Sequence, residues 1–351
     1  MTFRPGLELS ALFYTEALRP LIDERFPGLT YSAALLGSGS EILGFDTERS
    51  TDHGWGPRVQ MFLRPEDQAA LGDKLLALLD DQLPETFRGF LVRYSYPRFT
   101  NPVRHQVRIS GLGEYLSGIL GFDPRPGVTT ADWLGCPTQA LLEVTAGAVF
   151  HDGLGELEPA RRALAWYPDD LWRYTLACQW ARIGQEEAFV GRCGELGDEL
   201  GSAVVAARIV RDLMRLCLLA ERRYPPYGKW LGTAFSRLSI GEAMTPLLGS
   251  ALTAATWPER ERQLCAAYEM AAELHNTLGL TDWIDPAVRQ FHDRPFQVLG
   301  ADRFADALRA TIGDMRIRAL PLVGAIDQFI DNTDLISHSG RRADYLKSPN
   351  L

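Results

Sequence analysis

The pattern of hydrophobic and polar positions changes character near residue 155. Before that point, short runs of alternating apolar and polar residues are typical of strands, and segments with a three-to-four-residue repeat are typical of helices. After Glu156 the strand patterns nearly disappear and helical periodicity dominates. The sequence therefore predicts an α+β protein, with a mixed α/β domain over residues 1–155 and an all-helical bundle over residues 156–351.

The first region alternates predicted helices with predicted strands. Helices are expected over 5–26 and 65–82, and strands over 30–36, 58–63, 89–96, 104–110 and 148–152. In the second strand, Val59, Met61 and Leu63 fall on one face, which is typical of a half-buried strand. The third and fourth strands are expected to pair around the turn "PRFTNP".

The second region reads as a series of helices separated by proline-containing turns. Helical periodicity covers residues 156–166, 170–189, 202–222, 228–238, 258–278 and 301–332. We therefore expect no β-sheet running through residues 200–330.

Composition narrows the class of protein. Apolar residues make up 46% and charged residues 23% of 351 positions, as in ordinary globular proteins, and no apolar run approaches the roughly 20 residues of a membrane span. The net charge of -9 disfavours an extended nucleic-acid surface. Five scattered cysteines without a CxxC pair and an N-terminus without a signal-peptide pattern lead us to expect a cytoplasmic protein.

A glycine- and serine-rich turn follows the first predicted strand. Gly37 and Gly39 permit positive φ and close backbone approach, while Ser38 and Ser40 add hydroxyls beside their amides. A concave row of such amides is suited to a triphosphate, so all four residues are candidate nucleotide ligands. The turn lacks the GK[ST] of a Walker loop, and Ile42 occupies the third glycine position of a GxGxxG pattern.

The number of residues between this turn and Asp52 is the next feature that suggests a function. An apolar strand, a Gly-Ser pair and 11 intervening residues before an aspartate match the nucleotidyltransferase signature, in which aspartates bind a divalent metal. The alternative is an aspartate that caps a turn. Arg58, at the start of the next strand, fits a phosphate contact or a surface charge. His151 and Asp152 fit a metal turn or a tight connection into the following helix.

Three segments carry a resemblance to a known family: "GSGSEILGFDTERSTDHGWGPRVQMFL", "ALLEVTAGAVFHDGLGEL" and "RDLMRLCLLAERRYPPYGKWLGTAF". They resemble a bacterial family of unknown function that is grouped with the kanamycin- and other aminoglycoside-type nucleotidyltransferases. The resemblance implies a polymerase-β-like domain followed by a helical substrate-binding domain. It also implies ATP or another NTP as nucleotide and Mg²⁺, held by Asp52, as metal. The reaction it implies is transfer of NMP to a hydroxyl of an acceptor.

The chain departs from the nucleotidyltransferase pattern at the metal carboxylates. Gly54 stands at the second acidic position, and Gln106 and Arg108 stand on the strand that should carry a third carboxylate. Mg²⁺ depends on carboxylates to fix it against phosphates. An alternative is therefore a nucleotide-binding regulatory protein with weakened catalysis, and a third reading is a partner-binding scaffold.

Lys229 is the sharpest candidate in the helical region. It is one of only three lysines, and it follows "YPPYG" in the first turn of a predicted helix, where backbone amides attract phosphate. We expect it to contact the triphosphate tail, or alternatively to rest its stem on Trp230. Trp55 is expected to pack between the domains or beside the base.

Three arginines in the helical region share a helix face. Arg208, Arg211 and Arg215 are spaced at i, i+3 and i+7, with Asp212 and Glu221 as expected partners on a solvated face. Contact with phosphate is the alternative reading.

A transfer reaction also requires a group that removes the proton of the acceptor hydroxyl. Glu186 and Glu187 lie in a segment otherwise rich in apolar and small residues and point to different faces, so at most one of them is the general base, and Glu187 is the candidate chosen. Glu143 and Glu199 compete for this role.

Overall fold

The computed structural model describes residues 3–52, 55–94, 103–340 and 342, with Asp52 described at its backbone alone. The chain divides into two compact units. The first comprises the described residues of segments 1–132, 139–165 and 334–351, and the second comprises residues 133–138 and 166–333. Apart from the short segment 133–138, the units thus divide near residue 165 and again near residue 333, whereas a single boundary near residue 155 was predicted.

The region up to Ala165 contains both helices and strands. The helices are α1 (Gly6–Phe13), α2 (Arg19–Arg25), α3 (Pro65–Gln82), α4 (Leu112–Leu120), α5 (Thr130–Gly135), α6 (Thr138–Thr145) and α7 (Leu157–Ala163). The strands are β1 (Ser32–Leu35), β2 (Val59–Leu63), β3 (Thr86–Phe87), β4 (Phe90–Leu91), β5 (Arg93–Tyr94), β6 (Arg104–His105), β7 (Val107–Gly111) and β8 (Ala148–Asp152). A π-helical turn, Tyr14–Leu18, joins α1 to α2, and a 3-10 helix spans Glu48–Asp52.

A four-stranded mixed sheet forms the centre of the first unit, in the order β7-β2-β1-β8. β1 is antiparallel to both β2 and β8, and β2 is parallel to β7. Because β1 and β2 run in opposite directions, the end of β1 lies beside the start of β2 and of β7. This edge of the sheet carries the glycine- and serine-rich turn.

One face of the sheet packs against helices. The buried cluster there is formed by residues of α1–α3 and the odd-numbered strand residues, including Ala33, Val59, Met61, Leu63 and Val107. The prediction that β2 is half-buried is wrong, because all five of its residues are buried. Its second face, which carries polar as well as apolar side chains, is also covered.

The remaining strand predictions have mixed outcomes. The pairing of the third and fourth predicted strands is confirmed where β5 meets β6 in antiparallel register, and the turn "PRFTNP" lies outside the described residues. β7 follows β6 in the chain but does not pair with β5. It pairs in parallel with β2 instead. The predicted helix over 65–82 is confirmed, with Pro65 at the first helical position, where its missing N–H costs no hydrogen bond.

The second unit is helical. Its helices are α8 (Asp169–Glu186), α9 (Phe189–Glu195), α10 (Glu199–Ala220), α11 (Gly228–Ser236), α12 (Gly241–Thr253), α13 (Trp257–Thr277), α14 (Asp302–Ala310), α15 (Met315–Arg318) and α16 (Ile326–Phe329). A short antiparallel pair, β9 (Arg289–Gln290) and β10 (Gln297–Val298), interrupts them, so the prediction of an all-helical region needs correction here. Another helix, α17, spans Thr333–Ser337.

Two helix predictions in this region need correction. The single helical segment expected over 301–332 is three short helices, because Asp314 caps the start of α15 and Pro321 lies beyond its end. α12, which contains Pro246, was not predicted from the sequence. No helix in the described part of the chain is long and apolar enough to span a membrane.

Candidate functional site

The glycine- and serine-rich turn, Gly37–Ser40, leaves the end of β1 and is called the Gly-Ser loop below. Gly37 has φ +92° and Gly39 has φ +150°, both in the region that favours glycine. A Cβ at position 37 would lie 2.8 Å from the Tyr115 hydroxyl, and one at position 39 would lie 2.6 Å from the Arg58 guanidinium. Both glycines are therefore required by backbone conformation and by space.

Side chains from neighbouring elements fix the backbone at the entrance to the loop. The Gln60 side chain accepts a hydrogen bond from the Leu36 amide at 2.9 Å and donates one to the Leu36 carbonyl at 3.1 Å. The Tyr115 hydroxyl donates to the same carbonyl at 2.9 Å. The Gly37 amide donates to the carbonyl of Glu143 at 2.8 Å. The loop therefore starts from a rigid, buried position.

A buried ion pair holds the far side of the loop. Arg58 and Glu41 are 7% and 3% exposed, and the Arg58 guanidinium donates to the Glu41 carboxylate. The same guanidinium donates to the Ser38 carbonyl at 3.1 Å. Arg58, the candidate phosphate contact, therefore supports the loop from inside the unit. The alternative interpretation, that Arg58 is a surface charge, is wrong.

The loop presents backbone donors that its own structure does not use. The amides of Ser38, Gly39 and Ser40 donate to no acceptor among the residues that the structure describes. Ser38 is exposed and Ser40 is partly exposed. Successive amides of this kind are typical of anion-binding concavities in proteins.

Two titratable side chains beside the loop, Glu143 and Tyr115, have raised pKa values. Burial raises the pKa of Glu143, which favours its neutral form, although Gln139 donates a hydrogen bond to it at 2.8 Å. Burial also raises the pKa of the Tyr115 phenol above its usual range; the charges of Arg58 and Arg108 oppose that rise and Glu143 adds to it. Arg108 is exposed and lies opposite Gln60 in the parallel register of β7 and β2.

Asp52, the predicted metal ligand and catalytic residue, ends the 3-10 helix that follows the loop. Gly54 lies outside the described residues. The nearby carboxylate of Asp46 accepts hydrogen bonds from the Gly6 amide at 2.7 Å and from the Trp55 indole at 3.0 Å. The buried ring of Trp55 stacks on Phe3 within the first unit. Its expected position beside a nucleotide base stays a prediction.

The Asp152 carboxylate caps the start of α7. It accepts hydrogen bonds from the amides of Gly155, Leu157 and Glu158, and from the Ser32 hydroxyl at 2.7 Å. Burial opposes its ionisation, but these hydrogen bonds outweigh that effect and lower its pKa. The reading of "HDGLG" as a tight connection into a helix accounts for all of these contacts.

Lys229 lies in the second unit as the second residue of α11, in the first turn as predicted. Its side chain is exposed, and its ammonium group lies 4.8 Å from the centre of the Trp230 ring. This contact corresponds to the alternative reading of Lys229. Its role in binding a triphosphate stays a prediction.

The carboxylate of Glu187 binds a backbone segment of its own unit. It accepts hydrogen bonds from the amides of Leu299 at 2.6 Å, Gly300 at 3.2 Å and Ala301 at 2.9 Å. Burial raises the pKa of Glu187, although these amides act in the opposite direction. These contacts account for a buried glutamate without a catalytic role. Glu199, which competes for the role of general base, accepts a hydrogen bond from the Trp257 amide at 3.1 Å and forms a salt bridge with Arg260.

The three arginines on one face of α10 have partners other than those expected. Arg208 pairs with Glu186 at 2.6 Å, Arg211 with Asp331 at 3.5 Å and Arg215 with Asp327 at 2.6 Å. The last pair is buried, so the face is solvated along only part of its length. Asp212 pairs with Arg182, and Glu221 accepts hydrogen bonds from Ser239.

Sequence reasoning missed the residues that position the loop: Gln60, Tyr115 and Glu41. A polar Gln60 within an otherwise apolar strand was the one available signal. Among the described residues, no three His, Cys, Asp or Glu side chains group in a way that could hold a metal ion.

Comparison with known proteins gives one family match. A family model described as a domain of unknown function (DUF4037) matches residues 133–231, a segment that runs from α5 into α11 and does not include the Gly-Ser loop. No curated protein and no solved structure matches the chain. The matched segment is thus similar to a family whose function is not described.

Proposed function

We propose that the first unit is a polymerase-β-like nucleotidyltransferase domain that binds a nucleoside triphosphate, with ATP as the expected nucleotide, at the Gly-Ser loop. The reaction of this class is the transfer of NMP to a hydroxyl group of an acceptor. The helical region would then bind the acceptor, a small molecule or macromolecule whose identity the proposal leaves open.

One observation carries the proposal. The amides of Ser38, Gly39 and Ser40 donate to no acceptor in the described part of the chain, while Gln60, Arg58 and the neighbouring backbone hold the loop in place. Donors fixed in advance bind an anion without the cost of ordering a flexible loop. The triphosphate tail of a nucleotide is such an anion.

A second candidate function, nucleotide binding without transfer, is supported by the carboxylates. The Glu41 and Asp46 side chains are engaged within the unit, and Gln106 and Arg108 take the place of acidic residues on β6–β7. Asp52 is then the residue that would hold Mg²⁺, with weak affinity, since divalent ions need several oxygen ligands.

Substituting Asp52 tests the proposal. We expect Asp52→Asn to weaken ATP binding only when Mg²⁺ is present, because Asn keeps the hydrogen bonds of Asp but loses the charge that fixes the cation. Isothermal titration of ATP in Mg²⁺ and in EDTA measures both conditions. Asp73→Asn, an exposed change of the same charge on α3, is the matched control and should bind like the parent protein.

The outcomes separate the candidates. Absence of ATP binding in both conditions would overturn the proposal and leave the scaffold reading. An unchanged ATP affinity of Asp52→Asn in Mg²⁺ would remove Asp52 from the site and favour binding without transfer. The complementary variant Gly54→Asp adds a carboxylate next to Asp52, and a gain in Mg²⁺ affinity or in AMP transfer would place position 54 at the metal.

A further inference from the structure

Helix α10 carries apolar residues on a side that faces solvent. Leu200 is 78% exposed and Val204 is 55% exposed. Ala203 is partly exposed and Ala207 is exposed. These four residues follow the spacing i, i+3, i+4 and i+7, so they lie along one side of the helix and are called the α10 stripe below. Leu196, in the turn before the helix, is 87% exposed and extends the apolar surface.

The α10 stripe is separate from the side of the helix that builds the core of the second unit. In the same stretch the buried residues are Ser202, Ala206, Ile209 and Val210, which lie on another side of α10. Single exposed apolar residues are ordinary on protein surfaces. Four of them at this spacing form the pattern of a helix that packs against another helix, and the described part of the chain leaves them in contact with solvent.

The α10 stripe is complementary in size to a second copy of itself in the opposite direction. Its midpoint falls between Ala203 and Val204. If two copies cross at this point in antiparallel directions, Leu200 of each copy lies opposite Ala207 of the other. A large side chain opposite a small one lets the two helices approach and pack without a gap. A parallel pair would instead place the two leucines opposite each other and the two alanines opposite each other.

The charges along α10 favour the same antiparallel direction. Asp198 and Glu199 lie at the start of the helix, whereas Arg208 and Arg211 lie about three turns further on. The Glu199, Arg208 and Arg211 side chains form ion pairs within their own unit and stay 43%, 55% and 35% exposed. Antiparallel packing places the arginine end of each copy near the acidic start of the other. A parallel pair would bring like charges together at both ends.

We propose that the α10 stripe binds a second copy of this chain, with the two α10 helices antiparallel across a twofold axis between Ala203 and Val204. A twofold interface uses the same patch on both copies, which this patch satisfies in size and in charge. One pair of helices buries less than the roughly 800 Å² per partner of a standard interface, so we expect a dissociation constant of about 1–100 µM. This inference does not depend on the proposed nucleotide site.

Sedimentation velocity of the full chain at a series of concentrations tests for the dimer. We expect the sedimentation coefficient to rise from the monomer value toward the dimer value as the concentration increases. Leu200→Asp should weaken the dimer at least about tenfold, because it places a carboxylate inside an apolar contact. An aspartate is well tolerated in the first turn of a helix, so this variant should fold, and circular dichroism verifies it.

Leu91→Asp is the matched control. It makes the same change at a leucine of β4 that is 61% exposed and belongs to the first unit. We expect this variant to dimerise like the parent protein.

Disulfide cross-linking tests the direction of the two helices, in a Cys193→Ser background because the other four cysteines are buried. Ala203→Cys should form a disulfide-linked dimer under mild oxidation, since the two copies of this position meet beside the axis. Ala207→Cys should form little, because its two copies are seven residues, or about 10 Å, apart along an antiparallel pair. A parallel pair would cross-link at both positions.

Each contrary result overturns a stated part of the inference. A chain that stays monomeric at all concentrations would show that a second copy does not bind the α10 stripe. A dimer that Leu200→Asp leaves equally stable would place the interface on another surface. Equal cross-linking of Ala203→Cys and Ala207→Cys would overturn the antiparallel arrangement. None of these results bears on ATP binding, so the proposed function stands or falls separately.

Discussion

The side-chain amide of Gln60 forms two hydrogen bonds with the backbone of Leu36, one residue before the Gly-Ser loop. Both residues are buried, so water cannot replace these bonds. We expect Gln60→Leu to lower the free energy of unfolding by about 2–3 kcal/mol, because it leaves the Leu36 amide buried without an acceptor. Urea denaturation followed by circular dichroism measures the change.

Gln82→Leu provides the control at the residue scale. Gln82 is exposed at the end of α3, where its side chain contacts Asp81, so the same substitution should change stability by less than about 0.5 kcal/mol. Equal stability of Gln60→Leu and the parent protein would contradict the role of Gln60.

Individual residues of the candidate site were predictable to different degrees. Gly37 and Gly39 were identifiable from sequence because few residue types other than glycine fit a tight turn directly after a strand. The burial of Arg58 was not, since its partner Glu41 lies 17 positions away and the ion pair depends on how the loop folds back. Local sequence patterns report spacing along the chain, whereas such pairs are set by tertiary packing.

At the scale of secondary structure, Asp152 links the end of β8 to the start of α7. Its carboxylate accepts hydrogen bonds from amides in the first turn of α7, which have no partners within the helix. We expect Asp152→Ala to lower the free energy of unfolding at pH 7 by about 1–2 kcal/mol. Denaturant titrations at a series of pH values measure this difference.

The pH dependence of that difference follows from the lowered pKa of Asp152. A carboxyl group with a lower pKa in the folded state stabilises it above the ordinary value of 3.8, and this stabilisation is lost as the pH falls through the folded pKa. The difference in the free energy of unfolding between the parent protein and Asp152→Ala should therefore become smaller below about pH 4. Asp73→Ala, exposed on α3, should show no such difference, and a difference that widens in acid would refute the assignment.

Long elements with a regular pattern were predictable, and short interrupted ones were not. The segment 65–82 combines a proline start with steady periodicity, and α3 matches it at both ends. In contrast, α12 continues through Pro246, which local rules treat as a helix breaker. The burial of both faces of β2 also escaped prediction, because alternation alone suggests one exposed face.

At the scale of the whole molecule, the chain returns to its first unit after leaving it. The described residues from Asp334 onward belong with that unit, although the second unit precedes them in sequence. Arg342 donates hydrogen bonds to the carbonyls of Leu335 and Ile336, and Ser339 donates to the carbonyl of Gly118 in α4. Sequence periodicity could not reveal this return, since it depends on contacts between residues more than 200 positions apart.

These contacts predict that the first unit depends on the C-terminal segment. Carbonyls in the last turn of a helix lack partners within it, and Arg342 also approaches those of Ile119 and Leu120 at 3.5 Å. Deleting residues 334–351 should therefore speed amide hydrogen exchange in α4 and leave α10 of the second unit unchanged. Deleting residues 343–351 preserves every one of these contacts and should leave α4 protected. If α4 exchanges equally in all three proteins, the C-terminal segment contributes nothing to the unit that carries the Gly-Ser loop.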